Sequence, residues 1–106
     1  MSERYNAIWV RGETWTIPVD CTDADGAALQ PDQASWTLTP MDEPDPVLTY
    51  SHEEGITLLV ARATINVPTV QQDDVPDGAY SHVLIVRASN GSLSRQVNGV
   101  IMVESR

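Results

Sequence analysis

Phenylalanine and lysine are absent from these 106 residues, and cysteine occurs once. Without Phe, three Trp and three Tyr supply all the aromatic bulk available to a core. The single thiol, Cys21, excludes an internal disulfide, and with it the small disulfide-stapled secreted scaffolds. Without Lys, all six positive charges are Arg; they face fifteen acids, for a formal charge of −9. That balance repels phosphate backbones and anionic lipid, so neither nucleic acid nor a membrane is an expected partner. No apolar run approaches the ~20 residues that span a bilayer, and MSERYNAIWVRGE at the start has no signal-peptide core. A cytosol-like folding compartment is the expectation.

What is present is the grammar of strands and turns. Trp15, Ile17, Val19 and Cys21 alternate with polar residues from Thr14 to Thr22, the period of a strand with one face in water. Pro18 cannot donate to a ladder, so this strand belongs at a sheet edge or bulge. Asp23-Ala24-Asp25-Gly26 then reverses the chain. Pro31-Asp32 predicts a further bend, and Ala34, Trp36 and Leu38 mark a second alternating strand. The polar, proline-dense segment from Pro40 to Pro46 reads as an exposed loop, and Val47 to Tyr50 as a brief strand. Ile56 to Leu58 and Ala63 to Val67 read as the arms of a hairpin. Thr69 and Gln72 have the spacing of a capping box, predicting a short helical turn near 69–75. Ala79 to Arg87 is the most strand-like segment, with large side chains on both faces, and so is central. Asn90-Gly91 is a hairpin turn, and Gly99 in the last strand marks a bulge or a close backbone approach.

Seven to eight short strands, with turns every ten to fifteen residues, predict an all-β fold. The expected architecture is an immunoglobulin-like antiparallel β-sandwich forming one domain over 1–106. Residues 1–10 read as an N-terminal arm or a first strand.

No constellation of chemistry interrupts this pattern. The acids around Asp23, Asp25 and Asp32 fit a calcium loop poorly, because Cys21 would hold the first ligand position. His52 beside Glu53 and Glu54 lacks the second His of a zinc site, and His82 alternates with Tyr80 and Leu84 as a packing residue. Ser51 and His52 are sequence neighbours whose side chains point apart in a strand. No metal, cofactor or catalytic residue is therefore expected, and the chain is not expected to be an enzyme. Cys21 sits on the apolar side of its strand, as a buried inert thiol does.

Trp15 and Trp36 lie on apolar faces and read as core. Tyr5, Trp9, Arg11 and Tyr50 are the candidates for a protein interface, since Trp, Tyr and Arg concentrate interface energy. An alternative use of exposed aromatics is stacking on sugar rings, which makes a carbohydrate-binding sandwich a competing reading.

Arg11-Gly12-Glu13-Thr14-Trp15, an alternating strand, and Thr22-Asp23-Ala24-Asp25-Gly26 follow one another in a characteristic order. Ala34-Ser35-Trp36-Thr37-Leu38, Gly55-Ile56-Thr57 and Ala63-Thr64-Ile65-Asn66-Val67 continue it. A polar connector from Pro68 to Pro76, Asp77-Gly78-Ala79-Tyr80-Ser81-His82 and Gly99-Val100-Ile101-Met102-Val103 complete it. This order resembles the N-terminal domain of phage baseplate upper proteins and related small phage and prophage proteins, over residues 7 to 103. Pro18 and His82 depart from that family's pattern. The resemblance implies a β-sandwich that serves as a virion part, with no active-site residues. The resulting expectation is a phage or prophage structural protein that docks to other virion proteins at a tail, baseplate or fibre attachment. Capsid decoration is the alternative location. Such a chain would form homo-oligomers or many symmetric copies, in the host cytoplasm during assembly and then in the virion.

Overall fold

A computed structural model describes residues 3–23 and 25–105. Nine strands and one short helix are formed among the described residues. They are β1 (Glu3–Arg4), β2 (Ala7–Val10), β3 (Trp15–Asp20), β4 (Pro31–Pro40), β5 (Leu48–Ser51), β6 (Ile56–Leu59), β7 (Arg62–Val67), α1 (Thr69–Gln72), β8 (Gly78–Ala88) and β9 (Leu93–Glu104). A large sheet runs β9-β8-β4-β5, with β1 and β2 both on β9, and a small sheet runs β3-β7-β6. Immunoglobulin-like sandwiches place strands G, F, C and C′ in one sheet and B, E and D in the other. β9-β8-β4-β5 and β3-β7-β6 reproduce that arrangement, and the fold is an immunoglobulin-like β-sandwich.

The expectation of a purely antiparallel sandwich needs correction at the N-terminus. Both β1 and β2 run parallel to β9, with Glu3 opposite Val97 and Ala7 opposite Ile101. Residues 3–4 and 7–10 thus enter the large sheet as strand, and the chain crosses to the small sheet between Val10 and Trp15. Pro18 lies on β3, which pairs only with β7 and so is an edge, as its missing N–H requires. Pro31 and Asp32 do not bend the chain away. β4 begins at Pro31 and absorbs Asp32 as a register shift before Gln33.

Ala24 lies outside the described residues, but the turn around it is defined by its neighbours. Asp23 Oδ1 accepts from the amides of Asp25 (2.9 Å) and Ala27 (3.0 Å). That carboxylate is used by the turn, as an Asx motif uses it. The β6–β7 hairpin lacks an Asn-Gly signal because Ala61, at φ 54, takes the left-handed position itself.

No capping box forms at α1. The helix has Pro68 as its N-cap and no side-chain cap bond. Gln72 instead turns inward, 1% exposed. Its Oε1 accepts from the Gly12 amide (2.9 Å) and its Nε2 donates to the Glu13 carbonyl (2.8 Å). Buried polar groups are retained where such partners exist, and this one staples the crossing between the sheets.

The core lies between the sheets and is built on aromatics. Trp9 of β2 stacks on Trp15 of β3, with centroids 4.9 Å apart, joining the two sheets. Trp36 of β4 is fully buried and sits 6.2 Å from Trp9, 5.7 Å from Tyr50 and 6.1 Å from His82. Tyr80, near the start of β8, donates from Oη to the Pro76 carbonyl, the tyrosine corner of this fold. Two residues on, where antibody domains carry the second cysteine of their disulfide, stands His82. Its Nδ1 accepts from Trp36 Nε1 (3.2 Å), which leaves the proton on Nε2 to donate to the Tyr5 carbonyl (2.7 Å). A hydrogen-bonded Trp–His–backbone relay therefore occupies the place of that disulfide.

Burial holds the His82 pKa below its ordinary value, although the bond to Tyr5 opposes that shift. Protonated His82 would set an N–H at Nδ1 against the Trp36 N–H. The neutral form is the one that the fold favours, so its contribution is present above the unfolded pKa near 6.5 and lost as pH falls through the lower folded value. Urea unfolding at about pH 7.5 and about pH 5 should show that loss, and His82→Phe should remove its share of the pH dependence. Equal pH dependence in the two proteins would refute it.

Candidate functional site

The surface with the clearest departure from the rest of the molecule is the outer face of the large sheet. Alternation sends Ala34, Trp36 and Leu38 of β4 and Tyr80, His82, Leu84 and Val86 of β8 into the core. Ser35, Thr37 and Thr39, and Ser81, Val83, Ile85 and Arg87, therefore face outward. The register carries these rows across three strands. Thr39 aligns with Ser81 and Val100, Thr37 with Val83 and Asn98, and Ser35 with Ile85 and Arg95. A shallow depression of about 220 Å³ lies over this patch, lined among others by Arg4, Thr37, Ser81, Arg95 and Asn98.

Charge on this face runs against the charge of the chain. Arg11 pairs with Asp77, and Arg62 with Asp20 (2.9 Å). Among the described residues, Arg4, Arg87 and Arg95 have no acid within ion-pair reach. The middle of the face is hydroxyl, amide and aliphatic. Exposed acids flank the face at both ends of the strands, Asp32, Glu53 and Glu54 at the end of Ser35 and Arg87 and a second group at the other. There Asp42, Glu43 and Asp45 stand exposed in the β4–β5 loop, which the Met41 amide ties to the Ala79 carbonyl at the start of β8 (3.1 Å). A groove of about 510 Å³ at that end is lined by Met41, Asp42, Glu43, Val47 and Asp77.

Of the four residues expected at an interface, two lie in the core and two are partly exposed. Trp9 and Tyr50 are 5% and 4% exposed, and both are core residues. Tyr50 Oη bonds to Gln71 Oε1 over the helix, and burial raises its pKa. Arg11 donates to the carbonyls of Gln72 and Val75 and to the Asp77 carboxylate, closing the corner after α1. Tyr5 is half-buried, its ring edge-on to His82 at 6.0 Å. The chain has no Phe, so Trp9 and Tyr50 are drawn into the core despite the enrichment of their types at interfaces. The outward Ser and Thr of this face have the pattern of ordinary water-facing positions in the sequence. The available signal was Ala79 to Arg87, whose outward side chains include no acid.

The remaining chemical groups have structural partners. Cys21 is 1% exposed, and burial raises its pKa, which disfavours the reactive thiolate. His52 Nδ1 accepts from the Ala34 amide at 3.4 Å. Among the described residues, no group of three or more His, Cys, Asp or Glu could hold a metal ion, and no helix is long and apolar enough to cross a membrane.

No family model and no curated protein matches the chain. Solved structures of similar shape include CopC from Methylosinus trichosporium OB3b, at 11% identity and TM-score 0.47, covering 89% of this chain and 96% of that one. A 2,6-sialyltransferase from Photobacterium sp. JT-ISH-224 matches at 8% identity and TM-score 0.44, covering 99% of this chain and 18% of the enzyme. Murine CRIg matches at 13% identity and TM-score 0.41, covering 98% of this chain and 92% of that one. Likeness at this level carries no functional argument.

Proposed function

We propose that this chain is a non-enzymatic docking module of a phage or prophage particle, at a tail, baseplate or fibre attachment. It would bind neighbouring structural proteins through the outer face of the large sheet. The observation that carries the docking surface is the patch formed by Ser35 to Thr39, Ser81 to Arg87 and Arg95 to Val100, which holds no acid and carries unpaired arginines on an otherwise strongly acidic protein. A central patch of small uncharged side chains loses little hydration on contact, while the arginines orient the partner. The particle assignment draws its support from the ordered motifs between residues 7 and 103. Sugar stacking loses its platform, since Trp9, Trp15 and Trp36 are 5%, 1% and 0% exposed.

The test is density-gradient sedimentation of a source-cell lysate containing either the native chain or Ser81→Glu. Ser81 is exposed at the middle of the face, so its substitution should leave stability within about 0.5 kcal/mol. The native chain is expected to migrate with particles, and Ser81→Glu to remain with free protein. Native chain at the top of the gradient would remove the particle assignment. Both chains on particles would remove the face.

A further inference from the structure

We infer that β2 is a pairing edge for a second copy of this chain, whose own β2 adds antiparallel to it about a two-fold axis normal to the sheet at Ile8. This contact lies at the margin of the sheet and goes beyond the docking face proposed above. β2 bonds β9 on one side, and among the described residues no strand bonds its other side. The Tyr5 amide donates to the Asn98 carbonyl (2.8 Å) and the Arg11 amide to the Glu104 carbonyl (3.0 Å). Both fit one phase of the parallel register, in which odd-numbered residues of this run turn their backbone groups to β9. The amide and carbonyl of Ile8, the Val10 amide and the Asn6 carbonyl therefore point to the open side. The Val10 carbonyl is already filled by the Glu13 amide (3.1 Å) and Trp15 Nε1 (3.0 Å), so the open stretch ends there. At Asn6, whose Oδ1 turns back to the Val100 amide, the regular strand ends on the other side. Ile8 is the midpoint.

This stretch matches itself. Antiparallel pairing centred on Ile8 sets Ile8 opposite Ile8, so the two residues exchange both bonds. Each Val10 amide then meets the Asn6 carbonyl of the second copy. Centring on Trp9 would instead aim the Ile8 amide at the filled Val10 carbonyl. Alternation sends Trp9 into the core and Ile8 to the outer face, beside Met102. Ile8 and Met102 are 65% and 40% exposed, and with Ala7 and Val100 they line a hollow of about 450 Å³. Pairing joins them into one apolar row, Met102–Ile8–Ile8–Met102, across four strands of a continuous sheet, and such cross-strand pairs stabilise sheets. Exposed edges are ordinarily guarded by charge or proline. The adjoining edge β3 has both, in Pro18 and Asp20, whereas no charged residue lies between Arg4 and Arg11. Two copies can therefore approach here despite the acidity of each. One short strand per copy buries well under the ~800 Å² per partner of a stable complex, so the pairing is weak and reversible in solution, and a covalent trap is the suitable probe.

The test compares disulfide-linked dimer formation by Ile8→Cys, Met102→Cys and Leu93→Cys under mild oxidation. The native Cys21 is 1% exposed and stays out of the reaction, and Leu93, 63% exposed, matches Ile8 in access. Opposed residues of a bonded antiparallel pair have Cα atoms about 5.5 Å apart, within the span of a disulfide. The two Met102 positions would be three strand spacings apart, about 14 Å, and out of reach. Ile8→Cys is expected to link at least tenfold faster than either of the others. In the linked dimer, hydrogen exchange should slow at the amides of residues 8 and 10, which gain acceptors only by pairing. Circular dichroism of each variant checks that it is folded. Equal rates for all three would reduce the linking to random collision and overturn the inference. Fast linking by Met102→Cys would overturn it too, by showing that copies meet through the face and not the edge. Unprotected amides at residues 8 and 10 in the linked dimer would likewise rule out strand pairing. None of these outcomes bears on whether Ser81→Glu leaves the particle, so the edge and the docking face can fail separately.

Discussion

Trp36→Ala is expected to lower the stability of this protein by about 3–5 kcal/mol, a large part of the 5–15 kcal/mol that holds a domain of ordinary stability together. Trp36 is fully buried at the centre of β4, with Trp9, Tyr50 and His82 around its ring. Removing the indole opens a cavity that two sheets cannot collapse to fill. It also takes the donor from His82 Nδ1, a buried acceptor whose desolvation then goes uncompensated. Trp36→Phe separates the two losses. It keeps most of the ring volume and deletes the N–H, and should cost about 1–3 kcal/mol. Urea unfolding with an unchanged slope would confirm that both variants act on the native state. If alanine cost no more than phenylalanine, the cavity argument would fail, and with it the view of Trp36 as the centre of the core.

That centre was legible because its signals are local. Alternation through Trp15, Ile17 and Val19 and through Ala34, Trp36 and Leu38 fixes which side chains turn inward. Asn90-Gly91 fixes the turn between β8 and β9, and Pro18 fixes an edge. All of these depend on residues a few positions apart. What stayed hidden depends on partners distant in sequence. Thr69 and Gln72 have capping-box spacing, yet the Gln72 amide finds better-placed groups at Gly12 and Glu13, which arrive from the crossing between the sheets. The parallel placement of β1 and β2 on β9 is likewise a choice between chain ends that no local pattern encodes.

The candidate site was illegible for the same reason. Arg4 and Arg95 become neighbours only when β1 lies on β9. Taken along the chain, the acids are scattered and the arginines sparse. Folding brings Arg4, Arg87 and Arg95 onto one sheet, with no acid within ion-pair reach among the described residues. The aromatic residues pointed elsewhere because a Phe-free chain must fill its core with Trp and Tyr, including Trp9 and Tyr50. Core demand outweighed the general preference of those types for interfaces.

Gly99→Ala is expected to loosen the N-terminal strands from the sheet. A Cβ at position 99 would lie 2.1 Å from the Tyr5 carbonyl oxygen and 2.8 Å from Asn6 Oδ1. Neither atom is free to yield. The Tyr5 carbonyl accepts from His82 Nε2, the Tyr5 amide donates to the Asn98 carbonyl (2.8 Å), and Asn6 Oδ1 accepts from the Val100 amide (2.8 Å). The added methyl therefore pushes the β1–β2 junction away from β9, at a cost of about 1–3 kcal/mol for overpacking alone, and Gly99→Val should cost more. The disturbance should spread along the strand. Ala7–Val10 pairs with Ile101–Glu104 only from one side, at the sheet edge, and carries Trp9 into the core against Trp15. Hydrogen exchange should accelerate at the amides of residues 7–10 well before those of β4 and β8, with the tryptophan emission shifting to the red as Trp9 meets water. Unchanged exchange at residues 7–10 would show that the junction moves aside without strain. The expected pattern would mean that the arm is ordered by its own chain, through a glycine that lets two backbones touch, before any partner arrives.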